Sequence, residues 1–334
     1  MELTSFAPVS SLLWKYLESC KIDPAPIYRR AGIEPKLLSN PEARISNSKM
    51  DLVWNEVVEL LNDPTFGVKM VHFWHPSMMG ALGYAWLVSA TLRNAMGRID
   101  RYIHAVSEGL ETQLEETPAG LKLSFGIVGK EKIPPQQHTL IIAMVMHMCR
   151  FNYGDELNPT QVCLARNEPA NKQEIVDFFR SDVVFDAEVD SITLARADVD
   201  RELSSANKHM ALMHDEFLMK YLIKIKKGDI VNQVKTIILD HLPDGQVSEE
   251  MVARQLNLSE RSMQRRLKEH ETSFREALDN VREMVAKQYI KNPLNRMSDI
   301  AFLLGFSEQS AFSRAFKKWT GLSPVQYRRT IDVL

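Results

Sequence analysis

Cysteine is scarce in this sequence: Cys20, Cys149 and Cys163 are the whole complement of its 334 residues. Three is an odd number, and the spacings match neither a CxxC redox pair nor a zinc-ligand pattern, so buried free thiols are expected, with no disulfides and no metal. Long apolar runs are also missing. The longest, Leu140 to Cys149, is ten residues long and stops at Arg150, where a membrane-spanning helix needs roughly 20. The N-terminus has no basic leader before its short apolar stretch and no small-residue cleavage site, so a cytoplasmic protein that spans no membrane is expected. Catalytic fingerprints are lacking too. There is no phosphate loop, no Gly-x-Ser-x-Gly, no His-Glu-x-x-His and no dinucleotide motif, so no catalytic residue, no cofactor and no enzyme are expected.

What is present suits two globular domains, each with a core of its own: the chain is 45% hydrophobic and 25% charged, inside the ordinary range for folded domains. The net charge of −2 hides an asymmetry. Residues 246–329 carry 15 Lys and Arg against 10 Asp and Glu, a net +5, while the rest of the chain is at −7. A basic segment on an acidic body suggests a polyanion-binding module joined to a domain with another task.

Apolar spacing at i, i+3 and i+4 predicts helices at "SSLLWKYLESC", "SKMDLVWNEVVELL" and "ATLRNAMGRIDRYIHAV" in the first 110 residues. Alternation in "LETQLEET" and "GLKLSFGIV", either side of Pro118 and Gly120, predicts a hairpin. A helix follows from Gln137 to Tyr153, then a strand near "TQVCLAR", a helix "KQEIVDFFR" and strands near "DVVFDA" and "SITLAR". A long helix over 205–227 ends in a Lys cluster and Gly228, which are C-terminal helix signals. The expected architecture is an α/β N-terminal domain, residues 1–225, a linker at 226–229, and an all-α C-terminal domain, residues 230–334.

The C-terminal segment repeats itself. "VARQLNLSERSMQRRLKEH" aligns with "IAFLLGFSEQSAFSRAFKKW": Ala253 with Ala301, Asn257 with Gly305 and Ser259 with Ser307 at an offset of 48, then Met263 with Phe312, Arg265 with Arg314 and Leu267 with Phe316 at 49. A small Ala lets two helices approach, Asn or Gly supplies a turn with positive φ, and Ser is expected to cap the second helix. These are helix-turn-helix units at 248–270 and 298–319. Met263 and Leu267, or Phe312 and Phe316, should face inward. The opposite face then presents Arg261, Gln264, Arg265 and Lys268 in the first unit, and Gln309, Ser310, Ser313, Arg314 and Lys317 in the second. Arg pairs with guanine, Gln with adenine, and Ser and Lys reach bases or phosphates. Double-stranded DNA is the expected partner, although one such face alone would equally suit a solvated bundle.

The segment from Gln246 to Arg329 resembles the DNA-binding domain of the AraC/XylS family of bacterial transcription regulators, whose C-terminal hallmark reads on "IAFLLGFSEQSAFSRAFKKWTGLSPVQYRR". The resemblance implies that "DNVREMVAKQYI" belongs to the long helix joining the units. It also implies that Arg261, Gln264 and Arg265, with Gln309, Ser310, Ser313 and Arg314, read bases in adjacent major-groove segments about one turn, roughly 34 Å, apart. The first unit departs from the family with Glu271 where Gly is usual, as the second has Gly321, and with Asn257 in the first turn. Most regulators of this kind are activators, so the resemblance implies an activator, with RNA polymerase as an expected partner and a place on the nucleoid.

The stretch "HPSMMGALGYAWLVSATLRNAMGRIDRY" resembles the sensor domain of the ornithine-utilisation-regulator branch, which implies a helical-plus-sheet sensing or dimerising body. Gly80 and Gly83, at i and i+3, suit close backbone packing flanked by Tyr84 and Trp86. The Met-rich helix offers Met144, Met146 and Met148 either as a core filling or as the wall of a pocket for a small organic effector, where Arg150 would hold a carboxylate. Tyr84, Trp86, Met144, Met148 and Arg150 are the expected effector residues. His72 and His75 have metal-like spacing, but no nearby carboxylate or Cys completes a site. Met210, Met213, Phe217, Tyr221 and Ile225 form a stripe expected to pack against the body or between the protomers of a homodimer. A body that only dimerises, with no ligand, stays open as the alternative.

Overall fold

The computed structural model describes residues 2–40, 42–129, 133–225, 230–242, 247–290 and 295–332. Two compact units divide the chain, Met1–Leu218 and Met219–Leu334. The division falls inside one helix, and the expected linker at 226–229 lies outside the described residues.

The first unit opens with β1 (Thr4–Phe6) and α1 (Ala7–Ser19), then α2 (Ala25–Arg30), β2 (Arg44–Ser46) and α3 (Asn47–Leu61). It continues through α4 (Phe66–Lys69), α5 (Ala81–Leu87), α6 (Leu92–Val106), the hairpin β3 (Leu110–Thr117) and β4 (Gly120–Ile127), and α7 (Pro135–Tyr153). After these come β5 (Gln161–Cys163), α8 (Gln173–Phe179), β6 (Val183–Val184), β7 (Asp190–Leu194), α9 (Arg196–Val199) and α10 (Lys208–Ile225). The strands form a mixed sheet in the order β3-β4-β7-β5-β6, parallel only between β5 and β6, and β1 pairs antiparallel with β2 in a separate ribbon. On the edge strand β3, Glu111, Gln113 and Glu116 face solvent, whereas every residue of the interior strand β7 is buried; this is why β3 shows alternation and β7 does not.

Helix α6 begins at Thr91, whose hydroxyl accepts the Asn94 N–H, and buries Leu92, Ala95, Met96, Ile99 and Ile103 along one face. Its partners are α5 and β3. Helix α7 is apolar nearly all round, the pattern of a helix in the middle of a core; it buries Leu140, Ile142, Ala143, Val145, Met146 and Met148 and packs on α4, α8 and β7. The two glycines of the α5 region do different jobs. A Cβ on Gly83 would lie 1.6 Å from the Pro76 carbonyl oxygen, so a side chain there is excluded. Gly80 is not on the helical face with it: it precedes α5 at φ 57 and lets the chain reverse into the helix.

The second unit is all helical among the described residues: α11 (Ile230–His241), α12 (Glu249–Gln255), α13 (Glu260–Glu269), α14 (Phe274–Ile290), α15 (Met297–Leu303), α16 (Gln309–Thr320) and α17 (Pro324–Asp332). The long α14 lies between the two helix-turn-helix units and contacts α11 on one side and α15, α16 and α17 on the other. No helix among the described residues is long and apolar enough to cross a membrane.

The cysteines are free, but Cys20 is exposed and only Cys149 is buried. Cys20 sits just past the end of α1, beyond its buried face. Of the two placements expected for the apolar stripe of α10, the one against the body is not taken by Met210 and Met213. Met210, Met213 and Phe217 are exposed, and the helix buries Ala211, Asp215 and Leu218 instead; Ile225 lies among residues whose side chains are not described.

Candidate nucleic-acid interface and sensor cavity

The two helix-turn-helix units have matching backbones. In the first, Asn257 adopts φ 54, its N–H reaches the Arg254 carbonyl at 3.0 Å, and the Leu258 N–H reaches the Ala253 carbonyl at 2.9 Å. In the second, Gly305 adopts φ 71, its N–H reaches Phe302 at 2.9 Å, and the Phe306 N–H reaches Ala301 at 3.0 Å. Ala253 and Ala301 are both buried where the helices meet, as are Met263 and Leu267 on α13 and Phe312 and Phe316 on α16.

The helix starts differ. Ser259 accepts the Ser262 N–H at 3.2 Å and caps α13 as expected. Ser307 does not cap α16: the extra residue in the second copy moves the start to Gln309, with Glu308 at the cap position and no side-chain cap bond. The helix ends agree despite the sequence difference. Glu271, where a Gly was usual, adopts φ 53, and Gly321 adopts φ 79.

Arg261, Gln264, Arg265 and Lys268 project to solvent from α13, and Gln309, Ser310, Arg314 and Lys317 from α16, with Ser313 half-buried among them. Acidic side chains hold part of this face. The Gln264 amide donates to Glu249 Oε1 at 2.9 Å, Arg265 lies 3.9 Å from Glu269, and Ser310 donates to Glu308 Oε2 at 3.0 Å. These exposed contacts are weak and exchangeable, so a phosphate or base edge can replace them.

Under α16, Phe306, Phe312, Phe316 and Trp319 pack ring to ring with centroids 5.7 to 6.4 Å apart, and Tyr327 of α17 closes the cluster against Phe316 at 5.3 Å. Sequence reasoning missed one residue here. Arg282 on α14 donates to the Leu304 carbonyl at 2.9 Å and the Gly305 carbonyl at 3.4 Å, with its guanidinium 4.6 Å from the Phe306 ring. It fastens the second turn to the connecting helix, and burial lowers its pKa. The only sequence signal was a long cation at an otherwise inward position of that helix.

The first unit holds a cavity of about 200 Å³ between α1, α3, α6, α7 and the β3–β4 hairpin. Met144 and Met148 are in its wall. The other expected effector residues are placed elsewhere. Tyr84 is 48% exposed and stacks on His214, with centroids 5.8 Å apart. Trp86 is fully buried and donates its Nε1–H to the Met148 carbonyl at 3.1 Å. Arg150 directs its guanidinium to the backbone carbonyls of Leu157, Phe178 and Phe179 and to Asn158 Oδ1. It thereby ties α7 to α8 and the loop after α7, and it does not line the cavity. Burial lowers its pKa. Sequence reasoning missed the wall residues Trp74, Met70 and Ile103, since they come from separate elements and share no local motif. Among the described residues, no group of three or more His, Cys, Asp or Glu side chains is arranged to hold a metal.

Residues 22–203 match the model of the arabinose-binding N-terminal domain of AraC transcription regulators, and residues 252–330 match a helix-turn-helix domain. The chain is 26% identical over 316 residues to the ornithine utilization regulator of Pseudomonas aeruginosa, spanning 90% of this chain and 89% of that protein. It is 25% identical over 334 residues to the HTH-type transcriptional regulator VirS of Mycobacterium tuberculosis, with 98% of each covered. The crystal structure of the transcriptional regulator CdpR from Pseudomonas aeruginosa superposes with a TM-score of 0.50 at 22% identity, over 96% of this chain and 98% of that one, which is a likeness of fold. The chain is a DNA-binding transcription regulator and belongs to the AraC family.

Proposed function

We propose that this regulator is an activator that reads two adjacent major-groove segments of its promoters with α13 and α16, under the control of a small organic effector bound in the first unit. The observation that carries the DNA assignment is the pair of like-built turns, at Asn257 and Gly305, each leading into a helix with a buried apolar edge and an exposed edge of Arg, Gln, Ser and Lys. On α13, Arg261, Gln264 and Arg265 address bases and Lys268 the phosphates; on α16, Gln309, Ser310, Ser313 and Arg314 address bases and Lys317 the phosphates. The apolar cavity favours effector control over a body that only dimerises. Exposed Met210 and Met213 on α10 support a homodimer. Activation implies contact with RNA polymerase on the nucleoid in the cytoplasm, and no feature of the chain suggests an enzyme.

Footprinting on the protein's own promoter tests the reading. Protection of two segments about one helical turn apart on one face of the duplex is expected. A single protected segment, unchanged when α16 is mutated, would overturn it.

A further inference from the structure

Two of the proposed base-reading side chains can both donate and accept, and each of them is held by a carboxylate. Arg and Lys only donate, so their polarity toward a base is fixed by their own chemistry. The polarity of an amide or a hydroxyl depends on its other partner. On α13, Gln264 donates from Nε2 to Glu249 Oε1 at 2.9 Å, and on α16 Ser310 donates from Oγ to Glu308 Oε2 at 3.0 Å. An ionised carboxylate only accepts, so neither bond can run the other way. Glu249 stands in the first turn of α12, and Glu308 at the cap position of α16, where its side chain makes no cap bond.

The consequences differ because the two groups differ. A hydroxyl has one proton, and Ser310, having given it to Glu308, can offer a base only its lone pairs. In the major groove adenine N6 and cytosine N4 are donors, whereas guanine and thymine present acceptors alone. Ser310 is thereby matched to an amino base. An amide has two protons. With one on Glu249, Gln264 keeps one proton and the Oε1 acceptor, the pair that adenine N7 and N6 require. Guanine would set its O6 acceptor against Oε1. Neither side chain has to release its carboxylate in order to meet its base. Releasing it would leave a bare carboxylate in an interface closed by DNA, which costs more than a hydrogen bond contributes in water.

We infer, on the base-reading roles proposed above, that Glu249 and Glu308 are specificity-determining positioning residues: Glu249 sets Gln264 to read adenine, and Glu308 sets Ser310 to read adenine or cytosine against guanine and thymine. As negative charges both carboxylates weaken binding to any duplex. What they supply is discrimination.

Selection of bound duplexes from a randomised pool by the full chain tests this, followed by binding constants on duplexes that differ at single base pairs. Gln264→Ala and Ser310→Ala identify the base pair each residue reads, as the position whose preference is lost. Wild type should favour adenine over guanine at the Gln264 position by about fivefold to a hundredfold, the range of a good bidentate pair. Glu249→Ala should cut that ratio to about twofold while raising affinity for every sequence. Glu308→Ala should raise affinity likewise and admit guanine and thymine at the Ser310 position. Glu250→Ala is the charge control: this carboxylate pairs with Arg254 at 2.7 Å within α12, so its loss should raise affinity and leave every base preference in place. Glu249→Gln and Glu308→Gln, which keep the shape and an acceptor oxygen, serve where an Ala variant fails to fold, and should show the affinity rise with a smaller loss of discrimination. Wild-type ratios retained in the Glu249 and Glu308 variants would overturn the positioning role and leave base reading by Gln264 and Ser310 standing. A wild-type preference for guanine at the Gln264 position, or for guanine or thymine at the Ser310 position, would overturn it as well. Gln264→Ala and Ser310→Ala variants with unaltered base preferences would instead remove the base-reading assignment, and the positioning role with it.

Discussion

Arg98 on α6 and Asp215 on α10 form a two-point ion pair, with Nε 2.9 Å from Oδ1 and Nη2 3.1 Å from Oδ2. A third guanidinium donor reaches Ser89 Oγ at 3.0 Å. The Asp215 side chain is 2% accessible and that of Arg98 is 12%, so this contact lies in the interior of the first unit. Helix α6 also supplies Ile99 and Ile103 to the cavity wall, on the turn that carries Arg98. One rigid helix thus touches both the cavity and α10, and α10 runs on past Leu218 into the second unit.

Breaking this pair from one side should be costly. Asp215→Ala leaves a buried guanidinium without its partner, which destabilises a fold by about 3 to 5 kcal/mol. The double variant Arg98→Met with Asp215→Leu should regain most of that loss, because both charges are then gone. Thermal denaturation of the full chains measures each. A single variant that loses less than about 1 kcal/mol would show that water reaches the pair and that α10 is not anchored there.

The left-handed residues of the second unit give a prediction of opposite sign. A non-glycine side chain in this conformation costs roughly 1 kcal/mol or more, and Glu271 bears that cost at φ 53 in an exposed turn. Glu271→Gly should raise stability by about 0.5 to 1 kcal/mol, while Gly321→Ala, at φ 79 with open space around its Cα, should lower it by a similar amount. Asn257→Gly should change little, since Asn tolerates the conformation. Chemical denaturation midpoints decide between these outcomes, and a destabilised Glu271→Gly variant would mean that the carboxylate makes an interaction outweighing the strain.

On the recognition helices, Arg265→Ala and Arg314→Ala should each weaken specific DNA binding by about 1 to 3 kcal/mol if each pairs with a guanine. Binding to non-specific DNA should hardly move. Glu249→Gln should have the reverse effect, because it removes a negative charge from the face proposed to meet DNA and loosens the bond to Gln264. Gel-shift titrations at fixed salt on the protein's own promoter compare all three. Wild-type affinity in both Arg variants would remove these residues from the base-reading set.

How much of this was legible beforehand depended on whether the signal was local. The amphipathic helices, the β3–β4 hairpin and the repeated turn with its Ala, Asn or Gly and inward apolar pair are written within a dozen residues, and the sequence displays them. The β1–β2 ribbon pairs residues as far as 42 apart, Thr4 with Ser46, and each strand is too short to show alternation. Arg150 read as a ligand cation because its sequence neighbours are apolar, yet its partners are carbonyls of Leu157, Phe178 and Phe179, brought there by the fold. The α10 stripe left two placements open, against the body or between protomers, and the choice could not be read locally, because the body-facing edge is set by Asp215, whose partner Arg98 is 117 residues away.

The thiols supply a test of the first unit's packing that needs no DNA. Cys149 lies fully buried in α7, and burial pushes its pKa up to about 12, whereas Cys20 is exposed beyond α1. Only the thiolate reacts with alkylating agents, so iodoacetamide at about pH 8 should modify Cys20 in the native protein and leave Cys149 untouched until denaturant is added. The raised pKa also fixes a direction for stability. Between the unfolded value near 9 and the folded value of about 12, the folded state keeps a proton that the unfolded chain has lost, so stability contributed by the neutral thiol falls as pH rises through that window. Cys149→Ala should flatten this alkaline decline while losing some packing against its neighbours on α7. Peptide mass spectrometry reads the labelling. Rapid native modification of Cys149 would show that α7 opens on the labelling timescale, and would weaken the case for a well-formed cavity beside it.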